Sequence, residues 1–132
     1  MAVVKNIVWL ASYPKSGNTW FRVFLSNLFS DSDEPASIND LHHTPIASAR
    51  QPFDEATGLP SSDLTFEEVD RLRPEVYRFQ AKEAGELQFR KVHDAYTYLD
   101  DGSPLFPPDV SRAVIYFIRN PLDVLISFAH HN

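Results

Sequence analysis

Residues 6–29 read NIVWLASYPKSGNTWFRVFLSNLF, and this stretch decides the fold. Its first part, Asn6 to Ala11, is mostly apolar and β-prone and is followed at once by Ser12, Tyr13 and Pro14, which is typical of a short strand buried on both faces. Such strands favour a parallel α/β sheet. From Asn18 to Phe29, aromatic and leucine side chains recur at helical spacing with further apolar residues between them, so we expect a helix buried on most sides.

The middle of the chain predicts a loop and then a helix. Asp31 to Ser62 collects prolines, glycine and small polar residues and is interpreted as one long irregular segment. Thr65 to Ala84 is helical in pattern, with Thr65 as the N-cap and acidic residues in the first turn. Pro74 marks a break or a second helix start, and Gly85 ends the segment.

Two further strands and a helix follow. The strands are predicted at Leu87 to Val92 and at Ala113 to Ile118, separated by a Pro-rich connection from Gly102 to Asp109. Asn120 then caps a last helix that has Pro121 at its first position. Three strands alternating with helices predict an α/β fold with a parallel central sheet, ordered by right-handed crossovers.

Composition limits the partners. The 132 residues, 43% of them hydrophobic, suit one soluble domain spanning 1–132. With 18 acidic residues against 12 Lys and Arg, the net charge of -6 argues against a nucleic-acid partner. The absence of cysteine excludes disulfides and thiolate metal sites. No apolar run approaches the roughly 20 residues that span a bilayer, so a cytoplasmic location is expected.

The turn between the first strand and helix has the chemistry of a phosphate cradle. Backbone N–H groups and the positive helix end converge there, while Lys15 adds a charge and Ser16 and Thr19 add hydroxyl donors. Because Lys15 precedes Gly17 and no glycine lies five residues before it, this is not the triphosphate loop G-x-x-x-x-G-K-[ST]. Taken alone, a plain strand-to-helix turn with a solvated lysine remains an alternative.

A second segment, RNPLDVLIS at 119–127, follows the third strand. Ligands of open α/β sheets bind outside the carboxyl ends of the strands, so this segment and the first loop are expected to face one crevice. Arg119 could hold a phosphate through two hydrogen bonds. The alternative is that it merely pairs with Asp123.

The third segment is Lys91-Val92-His93, at the end of the second strand. A lone histidine there is more often an ordinary surface or core residue than a base. The other histidines form two adjacent pairs, which are poor chelates, so no metal site is predicted. His42 or His43 could contact a substrate, and Tyr96, Tyr98 and Phe106 could line a pocket or simply pack.

Together the three segments resemble one family. YPKSGNTW resembles the 5′-phosphosulfate-binding loop Y-P-K-S-G-T-T-W of sulfotransferases that use 3′-phosphoadenosine 5′-phosphosulfate (PAPS), with Asn18 the one departure. RNPLDVLIS matches that family's 3′-phosphate motif R-N-P-x-D-x-x-x-S, and Lys91 and His93 match its K-x-H element. The motifs run from Tyr13 to Ser127 in the family's order.

The resemblance implies a single α/β domain related to the nucleotide-kinase folds, with PAPS as the sulfuryl donor, adenosine 3′,5′-bisphosphate as its product and no metal. His93 would be the general base, Lys15 would stabilise the leaving oxygen, and Lys91 would stabilise the sulfuryl oxygens. The residues implied to bind the donor are Lys15, Ser16, Gly17, Asn18, Thr19, Trp20, Arg119 and Ser127. The acceptor, a small molecule or a glycan bearing a hydroxyl or amine, is not named by the sequence.

Family members usually continue past this point to a basic R-K-G-x-x-G motif that the chain lacks. A domain truncated at the C-terminus is therefore expected, with part of Trp20, Phe24 or Leu125 left uncovered and with self-association through that core. The alternative function is a non-catalytic remnant that binds adenosine 3′,5′-bisphosphate or has only a structural role. A kinase is disfavoured because the Walker-type loop is absent.

Overall fold

The computed structural model describes residues 4–131 and contains a three-stranded parallel sheet in the order β2-β1-β3, with helices on both faces. The remaining residues of the predicted domain, 1–3 and 132, lie outside the described residues. The strands are β1 (Ile7–Ser12), β2 (Gln88–Val92) and β3 (Ser111–Phe117). The helices are α1 (Asn18–Phe29), α2 (Arg50–Thr57), α3 (Phe66–Ala84) and α4 (Pro121–Ala129). The predicted parallel α/β class is therefore confirmed.

The central strand β1 is buried as predicted, because both its edges are paired and both its faces are covered. Leu10 is aligned with Lys91 of β2 and with Ile115 of β3. Alternation along β1 points Trp9 toward α3 and Leu10 toward α1. The Trp9 ring contacts the Tyr77 ring edge-on, with centroids 5.0 Å apart.

The hydrophobic core lies between the sheet and α3. The connection between β2 and β3 contributes Leu105, Phe106 and Val110 to it. The buried members of the core are Ile7, Trp9, Ala47, Tyr77, Ala81, Val92, Leu105, Phe106 and Val110. The Asn6 side chain donates to the carbonyl oxygen of Ala81 at 2.8 Å, which fixes α3 to the start of β1.

Two helix predictions need correction. The segment Asp31 to Ser62 is not wholly irregular, because α2 occupies Arg50–Thr57 and a 3-10 turn occupies Ser61–Asp63. Pro52 does not prevent α2, since it lies in the first turn, where its missing N–H would have no helical partner. Pro74 does not break α3 either. The helix continues through it, and its buried face includes residues on both sides of the proline, Arg73 and Tyr77.

The ends of α3 are as predicted. The Thr65 hydroxyl accepts a hydrogen bond from the Glu68 N–H, and the Glu68 carboxylate accepts from the Thr65 N–H, forming a capping box. Gly85 ends the helix with a left-handed backbone, at φ 64°. The Asn120 side chain caps α4, also as predicted.

The prediction that α1 is buried on most sides is wrong for this chain. Trp20 is 75% exposed, and Phe24 and Leu28 are also exposed. Only the side of α1 that meets the sheet is covered, through contacts such as Phe21 with Phe117. Further apolar side chains exposed on β3 and α4 are Val114, Tyr116, Leu122, Leu125 and Ile126. The expectation of an incompletely covered core is therefore met at Trp20, Phe24 and Leu125.

Candidate active site

The loop between β1 and α1 presents unpaired backbone donors. Lys15 and Gly17 both have positive φ, at 64° and 98°, so the chain turns sharply twice before the helix. Gly17 is the N-cap of α1 and offers no side-chain acceptor, and no acidic residue lies in the first turn. The first N–H groups of α1 are thus left for an external anion, whereas those of α3 are capped by Thr65.

The Asn18 side chain connects α1 to β1. Its side chain is buried and donates to the Leu10 carbonyl oxygen at 2.8 Å and to the Ser12 hydroxyl at 3.2 Å. Gly17 is the N-cap of this helix. The Asn18 amide therefore fixes the start of α1 to β1.

Three cations gather on the α1 side of the sheet. Lys91 is half-buried, and its burial together with the positive charges of Arg22 and Lys15 lowers its pKa. Arg22 is only 7% exposed, and its Nε donates to the Thr44 carbonyl oxygen at 2.9 Å. Within residues 4–131 no carboxylate forms an ion pair with any of the three. The cluster carries uncompensated positive charge suited to an anion.

Arg119 connects the second motif to the loop. One of its terminal nitrogens donates to the carbonyl oxygen of Lys15 at 2.9 Å. The alternative pairing with Asp123 is not formed among the described residues. Phe128 of α4 also contacts Tyr13 of the loop edge-on, with ring centroids 6.4 Å apart. Ser127, the neighbour of Phe128, is half-buried on the same helix.

His93 is oriented by the end of β1. Its Nδ1 lies 2.7 Å from the carbonyl oxygen of Ser12. Because a carbonyl oxygen can only accept, Nδ1 carries the hydrogen and donates it. The neutral ring then has its lone pair on Nε2, which has no partner among residues 4–131. This is the tautomer that a general base requires at Nε2.

A cavity of about 580 Å³ opens beside His93 on the α3 side of the sheet. Ser12 and Tyr13 join it to the start of the loop. Its walls are mainly aromatic and aliphatic, from Trp9, Ala11, Val92, Tyr96, Phe106, Val114 and Tyr116. His93 thus lines an apolar cavity and follows Lys91 of the cation cluster by two residues.

The remaining candidate residues lie elsewhere. His42 and His43 line a separate cavity with Leu87 and Phe89, near the start of β2 and away from His93. Tyr98 contacts Tyr96 edge-on but does not line the cavity beside His93. Across the described range 4–131, no group of three or more His, Asp or Glu side chains is arranged to hold a metal ion.

Comparison with known families decides the assignment. The family model for the sulfotransferase domain matches residues 5–132. The chain belongs to the sulfotransferase family. No curated protein and no solved structure shows a significant match to this sulfotransferase chain. Family membership supports sulfuryl transfer as its activity, and no helix among its described residues is long and apolar enough to cross a membrane.

The site of this sulfotransferase combines groups that suit anions with an exposed aromatic ring. Uncapped N–H groups at α1 suit one phosphate group, and Arg119 stands at the other side of the same loop. Trp20, exposed and stacked on Phe24 with an interplanar angle of 10°, offers a ring surface beside the loop. Donors, cations and an aromatic face are the groups that recognise phosphates and a purine.

Two residues beside these motifs were missed from sequence. Arg22 follows Asn18 by four residues, and a polar i, i+4 pair within an apolar helix was the available signal. The other is Asp94, directly after His93, which forms an ion pair with the buried Arg73. Its partner lies 21 residues away on α3, and nothing in the local sequence indicates the pairing.

Proposed function

We propose that this chain is a PAPS-dependent sulfotransferase in which His93 is the general base. The position of His93 carries the proposal. Its Nδ1 is engaged by Ser12, its Nε2 has no partner among residues 4–131, and it lines the apolar cavity two residues after Lys91. A base that takes a proton from an acceptor must reach the acceptor on one side and the donor on the other.

Residues of the loop and of the second motif would hold the donor. The N–H groups from Ser16 to Trp20 and the Lys15 ammonium would bind the 5′-phosphosulfate. Arg119 and Ser127 would bind the 3′-phosphate, and Trp20 would contact the adenine. Within the described residues, the lack of a capping side chain at Gly17 and of an acidic residue in the first turn of α1 supports this assignment.

The acceptor would enter the cavity of about 580 Å³ beside His93. Its walls favour a small molecule with a flat or apolar body that carries a hydroxyl or amine, over a polar glycan. Tyr96 and Phe106 line this cavity, which supports the role considered for them from sequence.

The chemistry divides among a few side chains. PAPS supplies the sulfuryl group when bound. His93 accepts the acceptor proton at Nε2 while Ser12 keeps Nδ1–H in place. Lys15 stabilises negative charge on the leaving oxygen, and Lys91 with the α1 N–H groups stabilises charge on the equatorial oxygens. The low dielectric around half-buried Lys91 strengthens that interaction.

The test is turnover of PAPS by His93→Ala beside His43→Ala, which changes an exposed histidine at a separate cavity. Release of adenosine 3′,5′-bisphosphate is measured with panels of phenols, alcohols, amines and sugars. His93→Ala should lose about 10² to 10⁴ in kcat and keep its affinity for the bisphosphate. His43→Ala should behave as wild type.

Full turnover by His93→Ala would show that the base is another group. Bisphosphate binding by the wild type without turnover on any acceptor would favour the non-catalytic binding module instead. A cytoplasmic location, a single domain and self-association through exposed apolar side chains remain predictions alongside this function.

A further inference from the structure

The residue after His93 is held by a buried arginine. Arg73 donates to both carboxylate oxygens of Asp94, at 2.7 Å from Nη1 and 3.0 Å from Nη2. Burial alone would raise the pKa of Asp94, but the hydrogen bonds and charge of Arg73 outweigh it and lower that pKa. The two side chains form a bidentate, charge-assisted pair, which has a strict geometry.

Arg73 is itself fixed by the core. It is 6% exposed, and its Nε donates to the Tyr77 hydroxyl at 2.9 Å. Its Nη1 also donates to Asp70 at 3.0 Å. Since Tyr77 is fully buried against Trp9, the position of the guanidinium is set by the packing of α3 on the sheet.

The Arg73–Asp94 pair lies just beyond the last residue of β2 that is paired with β1. The register between β1 and β2 ends with Ala11 opposite Val92, and His93 is the first residue beyond it. At these first two residues beyond β2, the side-chain contacts are the His93 ring on Ser12 and the Asp94 carboxylate on Arg73. The direction in which the backbone leaves β2 therefore depends on Asp94.

We propose that Arg73 and Asp94 are positioning residues for His93. By fixing the backbone after β2, they keep Nδ1 on the Ser12 carbonyl oxygen, so that the neutral ring carries its lone pair on Nε2. The catalytic consequence rests on the proposed role of His93. The tautomer of the ring, however, is a property of the chain alone and can be measured without turnover.

If the Arg73–Asp94 pair had only a structural role, its loss would lower stability without changing the His93 ring. The chain contains a second pair of the same kind that serves as a control. Arg78 lies on the same helix and pairs with Asp109 through Nε at 2.8 Å and Nη2 at 3.2 Å. That pair also anchors α3 to another segment, but neither residue lies next to His93. Loss of either anchor should lower stability, whereas only loss of the Arg73 pair should change the imidazole.

The test compares Arg73→Lys with Arg78→Lys. Lysine keeps the charge but cannot hold both carboxylate oxygens. The ring nitrogens of His93, assigned by their loss in His93→Ala, are observed by ¹⁵N NMR at alkaline pH, where the imidazole is neutral. The wild type and Arg78→Lys should show the Nδ1–H tautomer, and Arg73→Lys should populate the Nε2–H tautomer.

Asp94→Asn provides a second variant if Arg73→Lys does not fold, with near-UV circular dichroism of the Trp9 and Tyr77 cluster as the check. It should shift the tautomer in the same direction. In turnover, either variant should lower kcat about tenfold or more while KM for PAPS stays within about twofold. An Nδ1–H ring in both variants, or an Nε2–H ring in the wild type, would overturn the proposal. If the chain does not turn over PAPS, the proposed function fails, but the tautomer measurement still tests the positioning role of Arg73 and Asp94.

Discussion

The Arg119 guanidinium donates to the carbonyl oxygen of Lys15 at 2.9 Å, across 104 residues of sequence. This contact joins the end of β3 to the loop that precedes α1. Arg119 forms no ion pair within the described residues. The contact places its positive charge beside the loop that leads to the uncapped N–H groups of α1. Two segments that are distant in the chain thus present their donors at one edge of the sheet.

Arg119→Ala should weaken binding of adenosine 3′,5′-bisphosphate. A hydrogen bond between charged groups contributes about 1.5 to 3 kcal/mol, so Kd should rise about tenfold or more. Arg112→Ala is the control, because Arg112 is an exposed arginine near the start of β3, whereas Arg119 follows the end of that strand. Calorimetric titration measures both. Equal affinity of the two variants for the bisphosphate would show that Arg119 does not contribute to its binding.

Gly17→Ala tests whether the backbone geometry of the loop affects bisphosphate binding apart from its effect on stability. Its φ of 98° is strained for any side chain, although a Cβ would meet no atom within 4 Å. Gly85→Ala has the same kind of strain, at φ 64°, but at the far end of α3. Urea unfolding should show a loss of about 1 to 2 kcal/mol in each variant. Only Gly17→Ala should also lose bisphosphate affinity, and a matching loss in Gly85→Ala would contradict the loop assignment.

The two tryptophans give an optical readout of the nucleotide. Trp9 is 2% exposed and Trp20 is 75% exposed, so acrylamide should quench mainly Trp20. If the adenine covers Trp20, saturating bisphosphate should protect it from acrylamide, and Trp20→Phe should lose that response. Unchanged quenching at a ligand concentration where calorimetry shows saturation would place the adenine elsewhere.

Lys91 predicts proton uptake on anion binding. Its burial and the charges of Arg22 and Lys15 lower its pKa, and a bound anion should raise it again by favouring the ammonium form. At alkaline pH, bisphosphate binding should therefore take up protons, measured by calorimetry in buffers of different ionisation enthalpy. Lys91→Met should abolish the uptake, and Lys82→Met, at an exposed position on α3, should not. Equal uptake in all three proteins would exclude Lys91.

The same lowered pKa has a consequence for stability. Between the folded pKa of Lys91 and its ordinary value of 10.5, the unfolded chain binds more protons than the folded one. The contribution of Lys91 to the free energy of unfolding therefore becomes more favourable as pH rises through that window. The urea midpoint of the wild type should therefore rise relative to that of Lys91→Met as the pH rises toward the ordinary value. A difference between them that is independent of pH would contradict the shift.

The sequence predicted well where local pattern decides structure. β1 between Asn6 and Ala11 was placed to within one residue, because an apolar run bounded by Ser12 and Pro14 leaves few alternatives. The Thr65 cap and the Asn120 cap followed from side-chain chemistry within three residues. The α2 helix was missed because Pro52 was weighed as a breaker rather than as a first-turn residue.

Long-range partners could not be predicted. Arg22 bonds to Thr44, 22 residues away, and Arg73 pairs with Asp94, 21 residues away. Neither pairing has a periodic or compositional signal, because each depends on how helices pack onto the sheet. The burial of α1 was overestimated for a related reason. Helical periodicity identifies an apolar face such as that of Trp20, but it does not tell which neighbour covers it.

The most direct test of the donor site is calorimetric titration of the wild-type chain with adenosine 3′,5′-bisphosphate, beside adenosine 5′-monophosphate and ATP. A site that grips both phosphates predicts saturable binding of the bisphosphate, at least about tenfold tighter than that of either control nucleotide. Equal affinity for the three nucleotides, or no binding by a folded chain, would contradict a PAPS site at Lys15 and Arg119.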